Sequence, residues 1–314
     1  MSTLHPQAVA LLEAVKNSQI PPIHTVPAPE ARAIYRGTSR KLHPPAPQVA
    51  LCEDISFAGP AGTIAVRHYR PAGSAAGQEL PALVFYHGGG WVIGDLDTHD
   101  VLCRELCNGA GCAVFAIDYR MGPEHRFPAA VEDSMAAARH FAQRADDYRI
   151  DATRIAVGGD SAGGNLAAVV ALALRNAGGL RLAFQLLIYP ATDQRMRHPS
   201  HQANGAGYLL TREHMHYFRG HYLADARHYE DWRASPLLAQ NLSGLPPAFV
   251  LTAGFDPLVD EGKEYAERMR SAGVAVEHRC YEDMLHGFIT MGGVLDTARE
   301  AVGECARRLK RAFG

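Results

Sequence analysis

The chain has 314 residues, 47% hydrophobic and 20% charged, ordinary values for a globular protein with a substantial core. Its 31 lysines and arginines nearly balance 33 aspartates and glutamates, and no long basic run occurs. Composition therefore gives no reason to expect nucleic acid or an anionic membrane as a partner. The clearest apolar run, residues 166–174, is too short to span a bilayer and ends at Arg175.

The first residues lack a basic leader, and Glu13 interrupts their apolar stretch, so the expectation is a soluble cytoplasmic protein. Cys52, Cys103, Cys107, Cys112, Cys280 and Cys305 form no C-x-x-C pair and read as reduced thiols.

An amphipathic start carrying Val9, Leu11, Leu12 and Val15 gives way to a proline-rich stretch, Pro21 to Pro47. From about residue 51 the pattern changes to short β-rich runs alternating with helical ones. Strands are expected at 51–57, 63–69, 82–86, 113–117, 155–157, 184–189, 249–252 and 274–279. The first two partly alternate, as half-exposed edge strands do, and the middle ones are almost continuously apolar, as buried parallel strands are.

Helices are expected at 98–108 behind Asp97 as cap, from Pro128 to about 148, at 162–176, at 260–272 and at 295–313. Such alternation implies a mostly parallel sheet covered on both faces. Residues 191–235 break the rhythm and read as a helical insertion, which with residues 1–50 is expected to cap a core made of 51–190 and 236–314.

The sharpest motif is Gly159-Asp160-Ser161-Ala162-Gly163, a G-x-S-x-G between a strand pattern and an alanine-rich helix start. That context is what a nucleophile elbow requires: the reversal leaves room only for small residues two positions from the serine. Ser161 is the candidate nucleophile. Upstream, directly after a strand pattern, stands His87-Gly88-Gly89-Gly90-Trp91. Glycines here let backbone N–H groups approach a substrate, so Gly89, Gly90 and Ala162 are the candidate oxyanion donors. His87 and Gly88 are expected to support the loop.

Sixteen histidines compete for the role of base. His286 is favoured because it lies in 283–288, which reads as a loop between the last strand and last helix. The chain order of this fold is serine, acid, histidine. Asp256, just past a strand end and before Pro257, is the candidate acid; Asp260 and Asp283 are its rivals. The mechanism needs no metal or organic cofactor. A histidine base predicts that activity falls on acidification.

Five blocks carry a resemblance. They are 87–91, 119–130 (containing Glu124 and His125), 159–164, Asp256-Pro257-Leu258 and His286-Gly287-Phe288. Together they resemble the hormone-sensitive-lipase-like esterases, family IV of the bacterial lipolytic enzymes, over most of the chain from about residue 50. Met121-Gly122 stands where leucine-alanine is usual. The resemblance implies an α/β-hydrolase sheet of eight strands with the second antiparallel, a helical cap, and carboxylesterase activity on small-molecule, short-acyl esters. It also implies that homodimers are common.

Trp91, Asp160, Tyr189, Tyr208, Leu210, Phe218 and Phe288 are the candidate pocket residues. His198, His201, His214, His216, His221 and His228 match no metal-ligand spacing and read as a solvated cap face. Two other functions share the scaffold. One is a non-catalytic receptor like the plant gibberellin receptors, against which His286 counts. The other is an amide hydrolase or dehydratase.

Overall fold

A computed structural model describes residues 3–314. Helix α1 (Pro6–Lys16) and helix α2 (Ala28–Ser39) precede strands β1 (Leu51–Gly59), β2 (Gly62–Arg70) and β3 (Leu80–Tyr86). Then come α3 (Asp100–Ala110), β4 (Ala113–Asp118), α4 (Ala129–Gln143), α5 (Ala145–Tyr148), β5 (Ile150–Asp160), α6 (Ala162–Ala177) and β6 (Phe184–Ile188). The chain ends with α7 (Ser200–Ala203), α8 (Arg212–Tyr222), β7 (Ala248–Phe255), α9 (Val259–Ser271), β8 (Val276–Leu285) and α10 (Asp296–Phe313).

All eight strands form one sheet in the order β1-β2-β4-β3-β5-β6-β7-β8. β2 runs antiparallel to both its neighbours, and every other pairing is parallel. Alternating side chains feed two cores. Val84, Phe115, Val157 and Val250 meet α4, α6 and α9 on one face. Leu83, Phe85, Val114 and Leu251 meet α1, α3 and α10 on the other. Burial on both faces explains the continuous apolar runs of the middle strands.

Several boundaries and one cap differ from the sequence pattern, three of them near the site. β5 spans eleven residues rather than 155–157, because Gly158 and Gly159 stay in register with Phe85 and Tyr86. Glycine weakens a strand, so only the neighbouring strands reveal this extension. β8 runs on to Leu285, so much of the expected loop at 283–288 is strand, and His286 stands at its end. Asp97 does not cap α3; its carboxylate is spent on Arg40 at 2.8 Å and Arg67 at 3.0 Å.

Between β6 and β7, residues 191–235 contain α7 and α8 and no strand. One side chain ties both ends of this excursion to α6. The fully buried Asn165 amide donates to the Ala191 carbonyl at 2.7 Å and the Ala234 carbonyl at 2.8 Å. Replacing it with leucine strands the Ala191 carbonyl and leaves Ala234 O only the 3.4 Å bond from Gln194 Nε2, at roughly 1–3 kcal/mol per lost bond. Asn165→Leu is expected to lower unfolding free energy by about 2–4 kcal/mol and to speed proteolytic nicking within 191–235. Urea denaturation and limited proteolysis measure both; an unchanged midpoint would refute the clasp.

Candidate active site

The C-terminal end of β5 delivers Ser161 into a strained turn. Its backbone sits at φ 55° and ψ −115°, a region non-glycine residues avoid. The surroundings hold it there: its N–H donates to Ile188 O at 2.9 Å, and Asn165 N–H donates to its carbonyl at 3.0 Å. Gly163 is required by close approach, since a Cβ there would lie 1.8 Å from Tyr86 O. The small residue of the motif is thus the contact between α6 and β3.

His286 and Asp256 arrive from the ends of two adjacent strands, β8 and β7. His286 Nε2 is 2.9 Å from Ser161 Oγ, and His286 Nδ1 is 2.6 Å from Asp256 Oδ2. Asp256 is fully buried, and its other oxygen accepts the Leu258 N–H at 2.8 Å. Neither rival takes this place. Asp260 accepts the Ser200 N–H at 2.9 Å, and the imidazole of His286 pairs with Asp256 and not with Asp283. Asn204, which no motif singled out, donates to the carbonyls of Gly254 and Asp256, both at 3.1 Å, and so braces the acid's loop from residues 191–235.

The glycine loop lies across from Ser161. Gly89 and Gly90 border the same cavity as the serine, and neither N–H has a protein acceptor among the described residues. Ala162 is the first residue of α6, so its N–H also has no intrahelical acceptor. His87 takes no part in the serine relay. Its Nδ1 is 2.8 Å from Gly88 O, its ring stacks on Tyr119 at 4.4 Å, and the Tyr119 hydroxyl donates to its carbonyl at 2.7 Å. Burial, reinforced by nearby His99, pushes its pKa down to about 4, so it sits neutral.

The cavity has a volume of about 180 Å³ and is mostly apolar. Trp91, Asp160, Leu210 and Phe218 line it, but Tyr189, Tyr208 and Phe288 do not. Tyr189 lies behind the relay, buried, with its ring 4.6 Å from that of His286. Phe288 packs on Tyr281 at 5.4 Å, and Tyr208 packs on Phe255 at 5.3 Å. These three follow strand or loop directions that turn them into the second core. Sequence reasoning missed Ile23 and Tyr35 from the N-terminal region, and Gln194, Met215 and Arg219 from 191–235. The N-terminal residues are held by Arg32, which donates to Val92 O at 2.7 Å and pairs with Glu124 at 2.6 Å.

A family model described as alpha/beta hydrolase fold matches residues 83–290. The chain belongs to the α/β-hydrolase family, within its hormone-sensitive-lipase-like branch. It is 46% identical over 278 residues to the carboxylic ester hydrolase LipN of Mycobacterium tuberculosis, covering 85% of this chain and 73% of that protein. It is 38% identical over 308 residues to an ethyl acetate hydrolase of Pseudomonas putida, covering 96% of each. Among solved structures, an α/β-hydrolase enzyme from the metagenome of Lake Arreo superposes with a TM-score of 0.96 at 44% identity, covering 100% of both chains. A thermostable esterase of Pseudomonas putida superposes with a TM-score of 0.96 at 34% identity, covering 100% of this chain and 99% of that one. This α/β-hydrolase is a serine carboxylesterase.

The histidines of the hydrolase's 191–235 segment are not all solvated, contrary to the sequence pattern. His201 is buried, and its Nε2 lies 2.7 Å from Glu261 Oε2. Burial alone favours a neutral ring, but that carboxylate holds the His201 pKa above the ordinary imidazole range. His198, His201 and Glu261 place one donor atom each within 4.8 Å of one another, the one grouping among the described residues with metal-ligand chemistry. Glu261 is already committed there: its other oxygen accepts the N–H groups of Thr192 and Asp193. The cluster therefore serves as a brace between α9 and the start of the segment.

His214 borders the cavity, and burial together with His24 pushes its pKa down to about 4. His87 and His214 both stay neutral when folded but take up a proton near pH ~6.5 when unfolded. Depressed folded values mean stability that is full above ~6.5 and is lost as pH falls toward 4, by about 3 kcal/mol per ring. Denaturant midpoints are therefore expected to drop over this window, with a shallower drop for His214→Gln. An identical slope in the variant would count against its buried neutral state.

Proposed function

We propose that Ser161 attacks the ester carbonyl while His286 takes its proton, and that Asp256 orients the imidazole and stabilises its cation. The carbonyl oxygen becomes an anion facing the N–H groups of Gly89, Gly90 and Ala162. Collapse of the tetrahedral adduct expels the alcohol, which takes the proton from His286. Water then attacks the acyl-enzyme with the same imidazole as base. The observation carrying this reading is the continuous relay of 2.9 Å and 2.6 Å from Ser161 through His286 to Asp256. Its neighbouring uncommitted backbone donors add support.

The substrate side of the proposal is a small ester with a short acyl chain. Support comes from Gly90, against which the Phe218 ring packs directly, bounding the cavity beside the oxyanion donors. We assign residues 1–50 and 191–235 to a cap and 51–190 with 236–314 to the hydrolase core. Tyr217 and Phe218 pack against the cluster of Ala28 and Ala31, and the Tyr217 hydroxyl donates to Val26 O at 3.0 Å, which supports that division. No helix among the described residues is long and apolar enough to cross a membrane. A cytoplasmic location is in keeping with six free cysteines. The homodimer that is common in this branch is testable by sedimentation.

Ser161→Ala is expected to keep its circular dichroism spectrum and lose turnover of p-nitrophenyl esters. His286→Ala and Asp256→Asn are expected to lose roughly 10³-fold or more in kcat. Activity surviving in Ser161→Ala would overturn the nucleophile assignment. Across p-nitrophenyl acetate, butyrate, octanoate and laurate, kcat/KM is expected to peak at the short end; a maximum at laurate would refute the substrate class. Aryl amides are expected to turn over poorly beside esters of the same acyl group.

A further inference from the structure

Asp160 is buried, stands one residue before the nucleophile and takes no part in the relay. Its carboxylate turns toward the glycine loop. Oδ1 accepts the Gly88 N–H at 2.9 Å and lies 3.1 Å from His99 Nε2. Oδ2 fills the space beside the Gly88 Cα, where a Cβ would come within 2.3 Å of it. No lysine or arginine pairs with Asp160 among the described residues, so His99 is its one candidate counter-charge.

His99 is equally buried, and its Nδ1 lies 3.0 Å from Thr98 Oγ1. Thr98 is closed onto Asp95: its hydroxyl accepts the Asp95 N–H at 2.9 Å, and its own N–H donates to Asp95 Oδ1 at 2.8 Å. The Thr98 hydroxyl also reaches the Asp95 carbonyl at 2.9 Å, and His99 Nε2 lies 3.3 Å from Gly88 N, so Asp160, His99 and Gly88 form one buried cluster.

An unpaired buried carboxylate is costly, and one beside a developing oxyanion also opposes the charge that the site must stabilise. Burial works against its ionisation, yet His99 and the Gly88 N–H hold Asp160 below the ordinary carboxylate range. An anion kept in this position is accounted for by what it grips. Gly88 immediately precedes the two loop donors, and a charge-assisted bond fixes its N–H more firmly than a neutral acceptor does. Donor groups that miss the oxyanion by a fraction of an ångström lose much of their effect.

We propose that Asp160 and His99 are positioning residues that aim the oxyanion loop through Gly88. This rests on the reading of Gly89, Gly90 and Ala162 as oxyanion donors. Neither side chain touches the reacting atoms; both act through the backbone of the loop.

The test uses Asp160→Asn, Asp160→Ala and His99→Gln in the full-length enzyme. kcat is expected to fall about ten- to a hundredfold in Asp160→Ala, less in the other two, with KM within about twofold. Affinity for a trifluoromethyl ketone, which forms an anionic tetrahedral adduct, is expected to fall in parallel with kcat/KM. Binding of a neutral, unreactive amide of the same shape should stay level. A merely structural role would lower melting temperature without this split. The proposal is overturned by kcat within twofold of wild type in folded Asp160→Asn and His99→Gln, or by lost kcat without lost ketone affinity. If Asp160→Ala fails to fold, those two variants decide. A phosphonate that labels a residue other than Ser161 in the wild-type enzyme would instead sink the nucleophile reading beneath it.

Discussion

The reversal of the chain at Ser161 is the constraint on which the site depends. A residue at φ 55° and ψ −115° survives only where its surroundings over-determine it. Here they do so by contact: Gly163 presses on Tyr86 O, and Ser161 N–H is spent on Ile188 O. β3 and β6, flanking β5 on either side, therefore both hold the turn. The same packing sets the start of α6 behind the serine and the glycine loop in front of it. Strain in one residue is thus offset by the two strands that flank it in the sheet.

Charge is handled by the same economy of neighbours. Asp256, Asp160 and Glu261 are all buried, and each has a histidine and at least one backbone N–H on its oxygens. Histidine suits this task because it donates without imposing a permanent positive charge. The three pairs differ in what lies beyond them. His286 continues to Ser161, His99 to Thr98, and His201 stops at the brace between α9 and residues 191–235. Only the first pair reaches the hydroxyl at the strained turn.

The core was more legible than the cavity wall. G-x-S-x-G and the His87–Trp91 block carry local backbone demands, so their spacing in sequence reports their geometry. Pocket residues carry no such demand. Tyr189 and Phe288 are near the motifs in sequence and turn into the second core, whereas Ile23 and Tyr35 are remote in sequence and border the cavity. His201, read as solvated, is buried because Glu261 lies sixty residues on in sequence yet 2.7 Å away.

By itself the sequence determined the strand and helix alternation, the sharp turn at Ser161, the glycine loop after β3, and the order in which Ser161, Asp256 and His286 follow along the chain. These follow from periodicity, small residues and short-range backbone limits, all local in the chain. Tertiary structure alone decided which carboxylate meets His286, how far β5 and β8 run, and which side chains face the substrate space. It also decided that Asp160 grips Gly88. Each of these depends on the distance between segments brought together by packing, a quantity that no single stretch of chain encodes.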